Sequence, residues 1–114
     1  MYNQLVNKKI EIEVRSIFLQ GLLLMNADKI PLQFQSFQKL FKLWFKFLKK
    51  NQICQLDACI NFVKKYKKIK RIIIGVENSN QFLEIIKSFY KNDYIDFPKM
   101  SSKQIKLINP NLWN

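Results

Sequence analysis

The chain has 114 residues, of which 48% are hydrophobic and 14% aromatic, and its 20 Lys and Arg against 8 Asp and Glu give a net charge of +12. This length supports at most one domain and excludes a closed barrel of eight strand-helix units, which takes about 250 residues. The charge raises nucleic acid, an anionic membrane and phosphorylated ligands as partners, but because nearly all of the cations are Lys rather than Arg, no sequence-specific nucleic-acid partner is expected.

Metal and thiol chemistry find little support in the sequence. It has no histidine, and its 2 cysteines, Cys54 and Cys59, lie in a predicted helix. Their side chains point about 140° apart around the helix axis, which suits neither a disulfide nor a zinc site. Cys59 falls on the apolar side of that helix and is predicted to lie in the core.

No segment of the sequence is expected to span a membrane. The longest apolar stretch, 17–25, is interrupted by Gln20 and Gly21 and is shorter than a membrane span. The residues after Met1 lack the basic start and apolar run of a signal peptide. We therefore expect a cytoplasmic protein.

The first predicted element is a strand over 10–18. Apolar residues at positions 10, 12 and 14 alternate with charged ones, which is typical of a strand with one face toward a core. The alternation is lost around Gly21, and an irregular segment is predicted up to Pro31.

Two helices are predicted next, over 35–50 and 53–67. The apolar side of the first comprises Phe37, Leu40, Phe41, Leu43, Trp44, Phe45, Phe47 and Leu48, and its opposite side comprises Lys39, Lys42, Lys46, Lys49 and Lys50. An apolar arc of this width predicts contacts with two neighbouring elements. A helix lying at a membrane surface shows the same pattern of aromatics opposite lysines, so that alternative stays open.

The stretch after these helices predicts a strand, a tight turn and a helix. Successive isoleucines that stop at Gly75 indicate a buried strand over 71–75. Asn78 and Gln81 form a pair similar to a capping box at the start of a helix over 79–90. Because strands separated by helices pair in parallel, the two strands are expected to be parallel neighbours.

The turn between this strand and this helix is a candidate phosphate site. A glycine lets the backbone approach a ligand, and the unpaired amides and dipole at a helix start favour an anion. Gln81 and Glu84 lie three positions apart and are expected to reach the same bound group. The alternative is an ordinary turn that binds nothing. The tail over 91–114 is expected to dock back on the body through its apolar residues.

Two stretches of the chain resemble aldo/keto reductases. Residues 15–23 resemble the seventh barrel strand and its following loop, where a Ser-Pro-Leu-x-x-Gly pattern is common. Residues 73–84 are similar to the eighth strand and the phosphate-binding helix, where Gly, Gln and Glu recur at this spacing. The ending over 107–113 resembles that of some bacterial members. The resemblance implies an α/β fold made of the C-terminal βα units of a TIM-barrel-like fold, with two parallel strands, about three helices and an incomplete barrel.

The resemblance also implies an NADP-dependent oxidoreductase that reduces a carbonyl, with this chain carrying the cofactor-phosphate region. The residues that it implies along the nicotinamide are Ser16, Ile17, Phe18, Leu19 and Gln20, and those at the pyrophosphate and adenosine end are Gly75, Glu77, Gln81 and Glu84. The chain departs from the family pattern at Ile17, Ile74 and Ile85, where Pro, Pro and Asn are common. The resemblance implies no catalytic residue in this chain, because the family's catalytic Asp, Tyr, Lys and His come from the first half of the barrel.

The chain alone is therefore expected to be inactive. Its expected partner is a complementary barrel half, or a second copy joined through exposed apolar surface. The competing hypothesis is a small basic protein that binds nucleic acid or an anionic membrane through its lysines, including those over 64–68. A third is a purely structural interaction module.

Overall fold

The computed structural model of the chain describes residues 1–91 and 95–113. Its helices and strands are α1 (Tyr2–Asn7), β1 (Ile12–Arg15), α2 (Gln38–Asn51), α3 (Gln55–Lys64), β2 (Ile69–Ile73), α4 (Ser79–Phe89) and α5 (Ile105–Ile108). Short 3-10 turns cover Leu22–Leu24, Ala27–Lys29, Leu32–Phe37 and Pro110–Leu112. The protein is a mixed α/β chain with an open sheet. Residues 92–94 and 114 of the predicted tail lie outside the described part.

The two strands pair in parallel, which confirms the sequence prediction. Val14 lies opposite Ile72 and Arg15 opposite Ile73, with an irregularity after Ile12. On one face of the sheet Ile12 is buried and Val14 and Ile72 are half-buried, while Glu13 on the other face is exposed. One face of the sheet therefore packs against the protein and the other carries charge.

The strands and helices have different bounds from those predicted. The strand predicted over 10–18 is only Ile12–Arg15, since Ser16 takes a left-handed backbone with φ 58° that ends the extended run. The strand predicted over 71–75 is Ile69–Ile73, because its pairing with β1 starts at Ile69. The prediction that this strand is buried is wrong, since each of its residues is half-buried or exposed. The helices predicted over 35–50, 53–67 and 79–90 are Gln38–Asn51, Gln55–Lys64 and Ser79–Phe89. The sequence predicted neither α1 nor α5.

Helix α2 takes part in two groups of packed residues, as the width of its apolar side predicts. The first group comprises Trp44, Phe47 and Leu48 of α2 with Ala58 and Cys59 of α3. The second comprises Leu22, Phe34 and Leu107, against which Phe37, Leu40 and Phe41 pack. The aromatic side of α2 is therefore covered by the chain's own residues.

The tail docks on the body, as expected. Phe97 packs against the first group, with its ring centroid 5.0 Å from that of Phe47. Trp113 stands edge-on to Phe34 at 4.9 Å, and its indole Nε1 donates to the carbonyl oxygen of Lys106 at 3.0 Å. The C-terminal segment thus packs against both groups of buried residues.

Polar contacts hold α4 against α3. Lys64 Nζ donates to the carbonyl oxygens of Phe89, the last residue of α4, at 2.5 Å and of Lys91 at 2.7 Å. Lys91 Nζ in turn lies 2.8 Å from Asp57 Oδ2, at the start of α3. Burial of Asp57 acts to raise the pKa of its carboxyl, but the hydrogen bond from Lys91, with contributions from the neighbouring Ser88 and Cys54, outweighs it and the pKa is lowered.

The outward side of α4 remains apolar. Phe82 and Leu83 are 52% and 53% exposed, and Ile86 and Phe89 are also exposed. These positions recur at helical spacing and form one face. We refer to Phe82, Leu83, Ile86 and Phe89 as the open face of α4. Among the residues that the structure describes, nothing packs closely enough to bury it.

Candidate functional site

The carboxyl ends of β1 and β2 form one edge of the sheet. Since Arg15 pairs with Ile73, the loop that starts at Ser16 and the loop that starts at Ile74 leave the sheet side by side. Open α/β sheets bind ligands outside this edge of their strands. The parallel pairing therefore brings the two predicted groups of cofactor residues, one after each strand, to the same edge.

The loop after β1 has an unusual backbone. Ser16, Leu19 and Gln20 take left-handed φ values of 58°, 50° and 55°, and Gly21 follows at 84°. Only the glycine adopts this conformation without a cost of about 1 kcal/mol. Backbone strain of this kind concentrates at functional sites.

The side chains of this loop divide between solvent and core. Ser16 and Gln20 are exposed, and their polar groups are accessible at the edge of the sheet. Phe18 packs against the first buried group and Leu19 against the second, so both hold the loop to the body. Of the five predicted nicotinamide contacts, these two are already engaged within the chain.

The loop after β2 is open at Gly75. Its backbone is not left-handed, and a Cβ atom added there meets no heavy atom within 4 Å. The chain itself therefore does not require a glycine at this position. Because Gly75 has no side chain, the space beside its backbone at the start of the loop is free.

The start of α4 is capped as predicted. The backbone N–H of Gln81 donates to Asn78 Oδ1 at 2.9 Å. The Gln81 side chain folds back, and its Oε1 accepts from the backbone N–H of Glu77 at 2.9 Å. This contact uses only Oε1 and not the Nε2 donor of Gln81, so the expectation that Gln81 and Glu84 reach one bound group stays a prediction. The first-turn amides of Ser79 and Asn80, which have no acceptor within the helix, remain for an anion.

The exposed face of the sheet carries a network of ion pairs. Lys70 Nζ and Arg71 Nη2 lie 3.0 Å and 2.8 Å from the Glu11 carboxylate, and Arg71 also pairs with Glu13. The hydrogen bond and charge of Lys70, with a further contribution from Arg71, lower the pKa of Glu11. Arg71 is thus occupied by carboxylates and is not placed to bind a phosphate.

A cleft of about 670 Å³ opens between α2, α3, the loop after β1 and the tail. Two of the predicted site residues, Ile17 and Leu19, line it, whereas Gly75, Gln81 and Glu84 do not. Sequence reasoning missed this cleft. Its walls come from segments far apart in the chain, and no local pattern marks them.

The cysteines support no thiol chemistry. Cys59 is buried, as predicted, and burial together with the charge of Cys54 raises its pKa to about 12. Cys54 is exposed and is not paired with Cys59. Within residues 1–91 and 95–113, no group of three or more acidic, Cys or His side chains is arranged to hold a metal ion.

No protein-family model, curated protein or solved structure matches the chain. A functional assignment therefore depends on the fold and the site themselves. In the described part of the chain, every helix is too short or too polar to cross a membrane.

Proposed function

We propose that this chain supplies the last two strand-helix units of an aldo/keto-reductase-like barrel and holds the phosphates of NADP at the edge where β1 and β2 end. The observation that carries the proposal is the parallel pairing of β1 and β2. It places the loop after each strand at one edge of the sheet. Barrel enzymes frequently bind phosphate between the loops that follow their seventh and eighth strands.

The start of α4 has features that suit a pyrophosphate. The amides of Ser79 and Asn80 lie at the positive end of the helix dipole, and Gly75 leaves the nearby backbone accessible. Asn78 and Gln81 hold this turn in place through their hydrogen bonds. The amides of Ser79 and Asn80 would bind and orient the phosphates, while the loop from Ser16 to Gln20 would lie along the nicotinamide. Bound NADPH would supply the hydride for carbonyl reduction.

The open face of α4 and the free edge of β2 support a complementary barrel half as partner. In a barrel the last strand pairs with the first, and the last helix packs beside the first helix. Pairing would satisfy the outer backbone groups of β2, and docking would bury the open face of α4. The charged face of the sheet would then point to the barrel interior, where Glu11 and Arg71 neutralise each other.

Titration of the ¹⁵N-labelled chain with NADPH tests the phosphate site. We expect the amide signals of Ser79 and Asn80 to shift with the ligand concentration. Ser79→Glu should abolish these shifts, since it places a carboxylate among the phosphates. A carboxylate in the first turn also stabilises a helix, so lost folding does not explain a lost response.

The matched control is Ser36→Glu, which adds the same charge at an exposed position in the turn before α2. It should leave the response to NADPH unchanged. Shifts that are absent in the wild-type chain, or that survive Ser79→Glu, would contradict the proposed site.

A second candidate function is sequence-independent binding of a polyanion such as nucleic acid. All five lysines on α2 are exposed, and none pairs with a carboxylate in the described part of the chain. The apolar side of α2 is buried, so this helix cannot insert its aromatic residues into a membrane surface as the sequence pattern allowed. The surface that remains acts through charge alone.

Salt dependence distinguishes this candidate from the first. If α2 binds the phosphate backbone, the slope of log K against log salt should shrink by about 3 units when Lys42, Lys46 and Lys49 are changed to Gln. Lys8, Lys9 and Lys103 changed to Gln provide a control with the same loss of charge. An identical slope for the two variants would exclude α2 as the interface.

A further inference from the structure

The cleft of about 670 Å³ between α2, α3 and the tail is large enough for a ligand. Small-molecule sites in proteins typically have volumes of about 300–1,000 Å³ and mostly apolar walls with a few polar groups. The walls of this cleft are of that kind, with Leu40, Phe41 and Trp44 from α2 and Phe62 from α3 among them. The phosphate site proposed at the start of α4 lies elsewhere, because Gly75, Ser79 and Asn80 do not line the cleft, although Ile17 and Leu19 of the proposed nicotinamide loop do.

The charge of the lining indicates the sign of the ligand. Among the residues that the structure describes, its charged side chains are Lys65 and Lys99, and no carboxylate lines the cleft. Ser101 and Ser102 add hydroxyl groups. Ser102 Oγ already accepts from the backbone N–H of Gln104 at 3.1 Å, which leaves its proton to donate. The cleft therefore offers positive charge and hydrogen-bond donors to an acceptor.

Trp44 provides an independent observation. It is only 9% exposed, it lines the cleft, and its indole Nε1 is buried with no hydrogen-bond partner among the described residues. Buried donors in folded proteins are nearly always paired, and an unpaired one lowers stability. By contrast, Trp113 Nε1 is satisfied by the carbonyl oxygen of Lys106. Because Nε1 itself has almost no accessible surface, a ligand oxygen in the cleft would satisfy Trp44 once the side chains that cover the indole N–H shift.

Aromatic rings position the Lys65 ammonium. Its Nζ lies 5.7 Å, 5.8 Å and 5.9 Å from the ring centroids of Phe62, Tyr66 and Phe97, and all three rings line the cleft. Contacts with three ring faces restrict where the ammonium can move. The Lys65 ammonium is thus held beside the cleft, while the residue as a whole remains exposed.

We propose that this cleft binds an apolar monocarboxylate, with a hydrocarbon body among the aromatic and aliphatic side chains. The carboxylate accepts a hydrogen bond from Trp44 Nε1 and is attracted by Lys65 and Lys99. Each part of the ligand is complementary to one feature of the cleft. The apolar body matches the walls, the negative charge matches the two lysines, and the acceptor oxygen matches the unpaired indole.

Decanoate added to the ¹⁵N-labelled chain tests this proposal. The protein has two tryptophans and therefore two indole N–H signals, and a Trp113→Phe variant assigns them. We expect the Trp44 signal to move downfield in the proton dimension as decanoate binds, while the Trp113 signal stays in place. Decanol and decylamine carry the same chain without the negative charge. We expect both to bind at least about tenfold more weakly than decanoate, since a charged partner strengthens a hydrogen bond.

Two substitutions locate the contacts. Trp44→Phe removes the indole N–H but keeps an aromatic ring, and it should weaken decanoate binding about tenfold. Lys65→Met removes the ammonium but keeps an aliphatic chain and should weaken it by a factor of about five. Lys67→Met, at an exposed lysine outside the lining, is the matched control and should have no effect.

A stationary Trp44 signal, equal affinities for decanoate and decanol, or equal affinities of Lys65→Met and Lys67→Met would each overturn the proposal. Ser79→Glu should bind decanoate like the wild-type chain. Failure of the phosphate site and failure of this cleft are therefore separate outcomes.

Discussion

Helices α2 and α4 both have one apolar side, but these two sides differ in how far they are buried. Helix α2 buries Trp44, Phe47 and Leu48, whereas α4 leaves Phe82 and Leu83 about half exposed. The start of α2 has no side-chain cap, while α4 is capped by Asn78. We infer that α2 is stabilised chiefly by tertiary packing and α4 by its cap and its polar contacts with α3. The open face of this capped helix is where the proposed partner would dock.

The largest expected difference between the helices is the cost of removing one phenylalanine. Phe47→Ala on α2 creates a cavity in the first buried group and should lower the free energy of unfolding by about 3–5 kcal/mol. Phe82→Ala on the open face of α4 removes the same atoms and should cost less than about 1 kcal/mol. Urea unfolding followed by circular dichroism measures both. Equal costs would mean that the open face is buried in solution.

Removing the Asp57 carboxylate should weaken the attachment of α4 to α3. Asp57→Asn leaves a residue of the same shape that cannot form the ion pair with Lys91, and we expect a loss of about 1–3 kcal/mol. Asp28→Asn, at an exposed position away from α3 and α4, is the matched control and should change stability little.

The same contact predicts a pH dependence. The pKa of Asp57 is lower in the folded chain than its ordinary value. Its contribution to stability is therefore complete above the unfolded pKa, near pH 4, and is lost as the pH falls through the folded value. Asp57→Asn should flatten this part of the curve of unfolding free energy against pH. An unchanged curve would show that other carboxylates carry the acid sensitivity.

The cap of α4 should have a smaller effect. Asn78→Ala removes the acceptor for the backbone N–H of Gln81 and should cost about 1 kcal/mol. Hydrogen exchange should then accelerate in α4 but not in α2. Asn80→Ala, one residue inside the helix, provides the comparison and should leave exchange in α4 nearly as it is.

The smallest effect on unfolding is expected on the open face itself. Changing Phe82, Leu83 and Ile86 to Gln should leave the free energy of unfolding within about 1 kcal/mol of the wild-type value. It should, however, reduce self-association in sedimentation experiments, because the apolar contact area is removed. Leu32→Gln changes an isolated residue that is 86% exposed and should not alter association. A monomeric wild-type chain would rule out self-association through this face.

Several elements were predictable because their causes are local. The helical spacing of apolar residues marks α2, α3 and α4, and the pairing of Asn78 with Gln81 marks the start of α4. Two strands joined through helices predicted the parallel pairing. Strand ends were harder to predict. The sequence continues to look extended through Phe18, but the left-handed backbone at Ser16 ends β1.

For the predicted site residues, too, the features with a local cause were predictable and the others were not. Their place along the chain predicted that the loops after β1 and β2 share an edge, since parallel strands end on the same side. The sequence did not predict that Gln81 would bond to Glu77, because the orientation of a side chain depends on its local backbone. Nor did it predict the cleft, whose walls combine Ile17, Trp44, Lys65 and Met100.

The order of residues was enough to predict α2, α3, α4 and the two strands, which side of each helix is apolar, and that the strands run in the same direction. These properties depend on spacing and on short connections. Packing alone settled which apolar side is covered: α2 packs against α3 and the tail, whereas α4 contacts α3 and leaves its outward side exposed. The physical reason is that burial depends on neighbours distant in the chain, so two helices with similar patterns differ in exposure.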